Sequence, residues 1–472
     1  MPHPLLASPD DAATPIHLVA EETWPAVLDA LPPLAAGFAK AQKFEPKSGA
    51  HCLLPDGNGG LLAVVFGLDA ADAKRRDPFL VGKLPGLLPE GSYRLEPAPD
   101  DAALAVLAWL LGSYAFTRYR SRPARPTRLV PPANVDAEEI ARIADAVSLG
   151  RDLINTPAND LGPEALEEAV RALAARHGAE VSSIVGDDLI AGNFRMIHAV
   201  GRASASAPRL VDLVWGAEDA PKITLVGKGV CFDTGGLDIK PSSSMLLMKK
   251  DMGGAAAALA TAEMIMGAGL PVRLRVLIPA VENAISGSAF RPGDILQSRK
   301  GLTVEIGNTD AEGRLILADA LALADEEKPD LVVDFSTLTG AARVALGPDL
   351  PPFYTEDEAL AAELSSLSFE VNDPAWRLPL WPPYVSQLDS KIADINHIGG
   401  PMAGSITAAL FLRRFVTASP HVHFDIYGWT NAAKPGRPEG GEVQAARLIY
   451  ALVKKRYGRP SRAGVEPTSG SR

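Results

Sequence analysis

The segment GNTDAEGRLILADAL, residues 307–321, contains charged side chains at a spacing that suits chemistry. Asp310 and Glu312 stand two residues apart, and Arg314 follows two positions later, just before an apolar run that predicts a buried helix. Acidic residues here can simply cap the free N–H groups of a helix and complement its dipole. They can also bind cations or act as a general acid and base. The other acidic loops of the chain help to decide between these interpretations.

A second group of reactive side chains lies in the glycine-rich segment GKGVCFDTGGLDIKPSSSMLLMKKDMGG, residues 227–254. It consists of two lysines and two aspartates: Lys228, Asp233, Lys240 and Asp251. Taken singly, each aspartate is equally well explained as a turn or cap residue, and each lysine as a solvated surface residue. The GxGxxG pattern fails at Phe232, and no Gly-Lys-Ser/Thr follows, so a phosphate-binding loop is disfavoured.

The elements around these loops alternate between short apolar strands and alanine-rich helices. Strands are predicted at 222–227, 273–281, 302–306 and 330–336. This pattern is typical of a sheet covered by helices on both faces, and such sheets bind ligands beyond the carboxyl ends of their strands. We therefore expect the four carboxylates of the two segments to meet at one edge of one sheet.

Four carboxylates at one place cannot all stay ionised alone, because like charges raise one another's pKa. Two divalent cations would balance four negative charges, and carboxylate oxygens suit magnesium, manganese and zinc. The histidines offer no competing cluster, since His421 and His423 lie two apart on a predicted strand and are expected to be structural. The residues therefore favour a two-metal site.

Two other hydrolase classes explain the same residues less well. A paired-carboxylate glycosidase needs only two acids and leaves both lysines and Arg314 without a role. A serine hydrolase lacks its G-x-S-x-G motif, and the serine of STLTG, residues 336–340, has no identifiable base.

Composition limits the class of protein. The net charge of -11 at pH 7 argues against a nucleic-acid surface as the main function. The two cysteines, Cys52 and Cys231, are too few for a disulfide framework, which favours a reducing compartment. No secretory signal pattern is present, and the longest apolar run, residues 102–116, is too short to span a membrane. A cytoplasmic protein without a membrane partner is expected.

The predicted fold class is α/β: a small N-terminal α/β domain is joined by a linker helix to a larger α/β catalytic domain. The larger domain is expected to have a mixed central sheet covered by helices. The expected divisions are an N-terminal domain at 1–130, a linker helix at 131–155, a catalytic domain at 156–457 and a polar tail at 458–472.

Local patterns support this organisation. Residues 51–68 predict two strands around a turn, and residues 100–119 predict a buried helix capped by Asp100 or Asp101. The stretch RSRPARPTRLVPP, residues 120–132, is rich in proline and arginine and predicts a linker. Asp136, followed three residues later by Glu, forms a capping-box pattern at the start of the linker helix.

At the charged segments the chain resembles the leucyl aminopeptidase family, the cytosol aminopeptidases. The family's signature octapeptide NTDAEGRL stands unbroken at 308–315. VGKGVCFDTGG (226–236), MKKDMGGAAA (248–257) and STLTGA (336–341) match further family landmarks in the family's order, and the likeness covers roughly residues 148–455. The resemblance implies a homohexamer that removes N-terminal, preferably Leu-like residues from peptides by means of a metal-activated water.

The resemblance also implies a metal-binding role for five side chains. Asp233 and Glu312 would contact both of two divalent ions, manganese or zinc. Lys228 and Asp251 would complete one metal site, with the lysine bound as a neutral amine, and Asp310 would complete the other site.

Six further positions are implied to act on the substrate. Lys240 would stabilise the oxyanion, and Arg314 would hold a bicarbonate ion that serves as general base. Leu338 and Gly340 would hold the tetrahedral intermediate through backbone groups. Met248 and Thr337 would line the specificity pocket.

One departure from the family pattern is visible at Lys250, where family members commonly carry tyrosine. Two other functions remain open from the sequence. One is a binuclear metal hydrolase of another substrate class, such as a phosphatase. The other is a non-catalytic regulatory or DNA-binding role on the same fold.

Overall fold

The computed structural model describes residues 3–70, 76–121 and 126–458. Its N-terminal part contains a five-stranded sheet with the order β2-β3-β1-β4-β5. The strands are β1 (Thr14–Val19), β2 (His51–Pro55), β3 (Leu61–Gly67), β4 (Gly91–Glu96) and β5 (Thr127–Leu129). The helices of this part are α1 (Trp24–Ala30), α2 (Pro33–Ala41) and α3 (Ala102–Gly112). β2 and β3 are antiparallel, which confirms the predicted pair of strands around a turn.

The predicted helix at 100–119 is shorter than expected. It begins after Asp101, whose side chain makes no capping bond, and it ends at Gly112. The N–H and the hydroxyl of Ser113 both donate to the carbonyl of Trp109, and the hydroxyl of Tyr114 turns away to bond Asp152 at 2.7 Å. Tertiary contacts therefore end the helix before its apolar run ends.

The proline- and arginine-rich stretch at 120–132 is not simply a linker. Its residues 127–129 form β5, which pairs in parallel with β4, because the side chains of Thr127 and Leu129 are buried in the sheet. Residues 122–125 of the stretch lie outside the described residues, as does the predicted polar tail beyond Gly458.

A long helix, α4 (Ala137–Asn155), connects the two sheets along the chain. The carboxylate of Asp136 accepts the N–H of Glu139 at 3.0 Å, which is the expected N-cap bond. The Glu139 carboxylate accepts bonds from Tyr450 and Lys454. The capping side chain was thus correctly predicted, but the glutamate contacts the C-terminal helix.

The larger part of the chain is built on a nine-stranded mixed sheet and two small sheets. Its strands are β6 (Glu180–Val185), β7 (Arg209–Trp215), β8 (Lys222–Gly227), β9 (Gly229–Asp233), β10 (Arg273–Asn283), β11 (Ile295–Gln297), β12 (Thr303–Glu305), β13 (Leu331–Ser336), β14 (Pro352–Tyr354), β15 (Trp376–Arg377), β16 (Ile395–Asn396), β17 (His421–Asp425), β18 (Trp429–Thr430) and β19 (Gly440–Gly441). The main sheet runs β15-β14-β17-β13-β8-β10-β7-β6, with β9 also paired to β10.

Helices cover both faces of this sheet. The helices of the larger part are α5 (Pro163–His177), α6 (Asp188–Ala191), α7 (Arg195–Gly201), α8 (Ser242–Met245), α9 (Gly253–Gly267), α10 (Gly313–Glu326), α11 (Gly340–Leu346), α12 (Glu358–Glu370), α13 (Gly404–Arg413) and α14 (Ala446–Tyr457). Buried residues of α9 and α14 share a core with Leu225, whereas those of α10 and α13 share another with Val226. Because neighbouring residues of a strand point to opposite faces, the sheet is buried on both sides as predicted.

The strand predicted at 302–306 does not belong to the main sheet. β12 pairs with β11 and β16 in a separate three-stranded sheet. The expectation that Asp310 and Glu312 follow a strand of the same sheet as Asp233 was therefore wrong. The loop after β12 still reaches the main sheet, because α10, which begins at Gly313, packs on β8 and β10.

Candidate metal centre

The glycine-rich segment places its charged residues by the ends of strands. Lys228 stands between β8 and β9, and Asp233 is the last residue of β9. Asp251 lies in the 3-10 turn Met248–Met252, which leads directly into α9. β10 pairs first with β8 and then, further along, with β9, so the segment continues past the carboxyl end of β8. This is the edge at which an α/β sheet binds ligands.

Lys228 reaches the cluster because the first residue of α10 has no side chain. A Cβ at Gly313 would lie 2.5 Å from Cε of Lys228. The lysine Nζ lies 2.8 Å from Oδ2 of Asp251 and 3.0 Å from Oε1 of Glu312, and it donates to the carbonyl of Thr337 at 3.0 Å. Lys228 is buried, so its ammonium group forms the cationic centre of one half of the cluster.

Lys240 occupies the other, more exposed half of the cluster. Its Nζ lies 2.8 Å from Oδ2 of Asp233 and forms an ion pair with Asp310. The opposite oxygen of Asp233 accepts the N–H of Gly235 and the side-chain amide of Asn283, each at 2.8 Å. Gly235 has φ +86°, a left-handed conformation that favours glycine, so the chain can turn back under the carboxylate.

The donor set fits divalent cations. Ligand oxygens of Asp233, Asp310 and Glu312 lie within 4.8 Å of one another. Within the described residues, three carboxylate oxygens are buried and make no hydrogen bond: Oδ2 of Asp251, Oδ1 of Asp310 and Oε1 of Glu312. All three lie at ion-pair distance from a lysine Nζ, but without the angles of a hydrogen bond. Buried acceptors left unbonded in this way are ligands suited to hard cations.

Burial and the closeness of charged groups shift the pKa values within the cluster. Burial raises the pKa of Glu312, and the neighbouring Asp233 raises it further. Burial also raises the pKa of Asp233, with Asp251 adding to the effect. For Lys228, burial lowers the pKa, but the attraction of Asp251 and Glu312 outweighs it and leaves the pKa well above its usual range. Without metal, the lysine is therefore held as a cation among the acids.

Arg314 lies beside the cluster and makes no close ion pair with a carboxylate of the described residues. It is 7% exposed, its Nη1 donates to the carbonyl of His397 at 2.8 Å, and its Nε has no partner in the described part of the chain. Burial lowers its pKa to about 10. No described carboxylate lies within ion-pair distance of the guanidinium. A buried, incompletely paired guanidinium of this kind suits a small anion.

The four positions implied to bind substrate differ in burial and in hydrogen bonding. The hydroxyl of Thr337 is buried and donates to Oδ1 of Asp251 at 2.7 Å, so it supports a carboxylate of the cluster. The N–H of Leu338 donates to Asp425 at 3.1 Å, which leaves the carbonyl as the backbone group available to a ligand. Gly340 is exposed at the start of α11, and Met248 is half-buried at the start of the 3-10 turn.

Several supporting residues were missed by the sequence reasoning. Asp238 and Thr309 exchange three hydrogen bonds, from the N–H of Thr309 at 2.7 Å, from the N–H of Asp238 at 2.9 Å and from the hydroxyl of Thr309 at 3.2 Å. Thr309 lies within NTDAEGRL and Asp238 within the glycine-rich segment 227–254, so these two segments were the available signal. Asn283, which bonds Asp233, stands outside any recognised motif. Asp425, which bonds the loop after β13, lies in HFDIYG, residues 423–428, which also matches the family pattern, although no role was predicted for it.

Four further charged or titratable side chains are buried: Glu312, His421, His423 and Lys250. Glu312 occupies the N-cap position of α10, but its side chain makes no capping bond, so helix capping does not explain the carboxylate. His421 and His423 both bond the buried Asp334, at 2.7 and 2.6 Å, as expected for structural residues. Lys250, which stands where family members commonly carry tyrosine, is buried and lies over the ring of Tyr427, with Nζ 4.7 Å from the ring centre.

A cavity of about 650 Å³ lies elsewhere, between α3, α4 and α14. The described residues contain no other group of three potential metal ligands besides Asp233, Asp310 and Glu312. The chemistry of the side chains, rather than cavity size, therefore marks the functional site.

Family models match both parts of the chain. Residues 148–450 match the "cytosol aminopeptidase family, catalytic domain", and residues 14–132 match the "M17 aminopeptidase, N-terminal domain". The chain belongs to the cytosol aminopeptidase family. It is therefore an aminopeptidase of a metal-dependent family, and its α/β fold with a smaller N-terminal part is the fold of its relatives.

Individual members of the cytosol aminopeptidase family are similar over most of their length. A probable cytosol aminopeptidase of Roseiflexus castenholzii is 42% identical over 379 residues, which cover 76% of this chain and 78% of the relative. The crystal structure of the cytosol aminopeptidase from Coxiella burnetii is 46% identical with a TM-score of 0.90, covering 95% of this chain and 98% of that one.

A third relative is the bottromycin maturation enzyme BotP, solved in complex with Mn. It is 32% identical with a TM-score of 0.84 and covers 94% of this chain and 100% of its own. In the described part of the present chain, no helix combines the length and apolar character needed to cross a membrane.

Proposed function

We propose that the protein is a two-metal leucyl aminopeptidase that removes N-terminal residues from peptides. The observation that carries this proposal is the cluster of Asp233, Asp310 and Glu312, whose oxygens lie within 4.8 Å of one another. Among the described residues, its close ion-pair partners are two lysines, Lys228 and Lys240. Family membership supports the reaction class.

The proposed ligands divide into three sets. Asp233 and Glu312 would contact both ions, Lys228 and Asp251 would complete one site, and Asp310 the other. Such a pair of ions, when bound, lowers the pKa of water and polarises a carbonyl group. We propose manganese or zinc, because the ligands are mainly carboxylates and because one structural relative was solved with Mn.

The ligand role of Lys228 requires loss of its proton. Its Nζ now neutralises Asp251 and Glu312, which is the task that cations would take over. A neutral amine can then donate its lone pair, and the carbonyl of Thr337 keeps the side chain in place through the remaining N–H groups.

Lys240 and Arg314 are the proposed catalytic residues. Lys240, once released from Asp233 and Asp310, would donate to the developing oxyanion of the substrate carbonyl. Arg314 would bind a bicarbonate ion as the general base, in agreement with its buried and incompletely paired guanidinium.

Substrate binding is assigned to the segment after β13 and to the 3-10 turn. The carbonyl of Leu338 and the backbone of Gly340 would hold the tetrahedral intermediate. Met248 and Thr337 would line an apolar pocket that prefers Leu-like residues. One methylene in such a pocket changes binding by about 1–3 kcal/mol, so broad specificity is expected.

We further propose a cytoplasmic homohexamer with peptides as its partners, and a division of the chain at about residues 130 and 156. The two family matches, which end at 132 and begin at 148, support this division.

The proposal is tested with Glu312→Ala and a matched control, Glu282→Gln, whose carboxylate on β10 bonds Ser204. Glu312→Ala is expected to abolish manganese-stimulated hydrolysis of Leu-p-nitroanilide while circular dichroism shows a folded protein, whereas the control keeps wild-type turnover. p-Nitrophenyl phosphate is the second substrate. Phosphatase activity without aminopeptidase activity, or wild-type turnover in Glu312→Ala, would overturn the proposal.

A further inference from the structure

The segment after β13 is attached to the cluster at its first residue. The hydroxyl of Thr337 donates to Oδ1 of Asp251 at 2.7 Å, and its carbonyl accepts from Nζ of Lys228 at 3.0 Å. Its methyl group packs between two glycines, since a Cβ at Gly253 or Gly428 would lie 3.2 or 3.1 Å from it. One end of the segment is thus fixed to the proposed metal ligands.

The other end of the segment is held by a residue of the neighbouring strand. Asp425 ends β17 and is the register partner of Ser336, the last residue of β13. One oxygen of its carboxylate accepts the N–H groups of Leu338 and Thr339, both at 3.1 Å, and the other accepts the hydroxyl of Thr339 at 2.6 Å. Three bonds from two consecutive residues fix their backbone against the end of the sheet.

Asp425 is itself held rigidly. It is 2% exposed, and its Oδ2 also accepts the hydroxyl of Ser405 on α13 at 2.9 Å. Ser405 in turn accepts a bond from the hydroxyl of Tyr354 on β14 at 2.6 Å. No described lysine, arginine or histidine lies within ion-pair distance of Asp425, and the described groups that contact its carboxylate are hydrogen-bond donors, mainly those of the segment.

We propose that Asp425 is a positioning residue of the enzyme, which sets the place of the Leu338 carbonyl and of Gly340 relative to Lys228 and Asp251. The inference rests on the proposed function, because these backbone groups are the ones assigned to the intermediate. The segment is fixed at both ends, and only the Asp425 end is independent of metal. Loss of the carboxylate leaves Thr337 in place and frees the residues after it.

The experiment uses Asp425→Asn in the full-length, metal-loaded protein. The amide has the same shape, but one of its two polar atoms can no longer accept a bond. A displacement of about 1 Å at reacting groups can cost roughly 100-fold in rate, so we expect kcat on Leu-p-nitroanilide to fall about 100-fold. KM is expected to stay within about threefold and bound metal to stay at the wild-type level, because every proposed ligand is retained.

Asp325→Asn is the matched control. Asp325 also accepts two consecutive N–H groups, of Thr417 and Ala418, together with the hydroxyl of Thr417, but at the far end of α10. This variant is expected to keep wild-type kcat. An equal loss of kcat in both variants, or loss of metal from Asp425→Asn, would show that Asp425 acts only through general stability or metal retention.

A second readout does not depend on activity. Hydrogen–deuterium exchange of a peptide spanning residues 337–340 is expected to be roughly tenfold faster in Asp425→Asn, since each lost bond contributes about 1 kcal/mol. Unchanged exchange together with unchanged kcat overturns the inference. If the wild-type protein cleaves no aminoacyl amide, the proposed function fails, while the exchange measurement still tests Asp425.

Thr339→Val covers the case in which Asp425→Asn does not fold. It removes the shortest bond to Asp425 and keeps a β-branched side chain. We expect about a tenfold loss of kcat with KM within about threefold. Wild-type kcat in this variant contradicts the positioning role.

Discussion

Nζ of Lys228 lies 3.0 Å from Oε1 of Glu312, so one buried cation stands against a buried acid at the end of the main sheet. The same Nζ lies 2.8 Å from Asp251. In the proposed enzyme this lysine has two tasks: it neutralises the acids before metal binds and serves as a ligand afterwards.

Lys228→Met is therefore expected to destabilise the metal-free protein more than the metal-loaded protein. Removing one partner of a buried ion pair costs about 3–5 kcal/mol, because the remaining charge is left unpaired. The measurement is urea unfolding of the stripped and the manganese-loaded forms. Lys300→Met, which removes an ammonium bonded to the carbonyl of Arg414 at the surface, is the control. Equal destabilisation of both forms would contradict the double role.

Thr309→Val should weaken metal binding without unfolding the protein. Thr309 and Asp238 exchange hydrogen bonds that hold the loop before Asp310, and loss of such support typically lowers metal affinity about 10–100-fold. Manganese titration of the stripped protein measures the change. Thr303→Val breaks the same reciprocal pattern, with Asp394, away from the cluster and should leave affinity unchanged. If Thr309→Val binds manganese as tightly as Thr303→Val does, Thr309 does not position the ligands.

Lys240→Met tests the proposed oxyanion role. A donor directed at the developing charge contributes about 100–1000-fold to kcat, whereas ground-state binding depends on it much less. We expect a loss of that size in kcat, a small change in KM, and full metal content by elemental analysis. A rise in KM with unchanged kcat would instead place Lys240 in ground-state binding.

The buried His397 is expected to make the free energy of unfolding depend on pH. Burial, with the nearby Arg314 charge adding to it, lowers the pKa of His397 to about 3. The unfolded chain has its histidine pKa near 6.5, so the stability from the neutral ring is complete above about pH 6.5 and is lost as the pH falls towards 3. The slope from this one group approaches about 1.4 kcal/mol per pH unit.

Urea unfolding of the metal-free protein between pH 7 and pH 5 measures this slope. His397→Gln is expected to have the shallower dependence, whereas His51→Gln, at an exposed position, should behave as the wild type. Identical slopes in all three proteins would contradict the assignment to His397.

The strands and helices of the main sheet were predictable because their signals are local. β8 and β13 are short, continuous apolar runs, and α10 is a run of leucine and alanine that predicts a buried helix. The predicted ends of helices and strands were wrong where a tertiary contact outweighed the local sequence preference. α3 ends at Gly112 because Tyr114 bonds Asp152, and residues 127–129 form β5 because a neighbouring strand pairs with them.

The sequence by itself determined which side chains the proposed site contains, because the unbroken NTDAEGRL segment and the glycine-rich loop contain all five proposed ligands and both proposed catalytic side chains. Only the tertiary structure decided what holds them. The bonds of Thr337 to Asp251 and of Asp425 to Leu338 join residues more than eighty positions apart. Such bonds depend on strand order and register, which the long-range packing of both sheet faces determines and which no local pattern records.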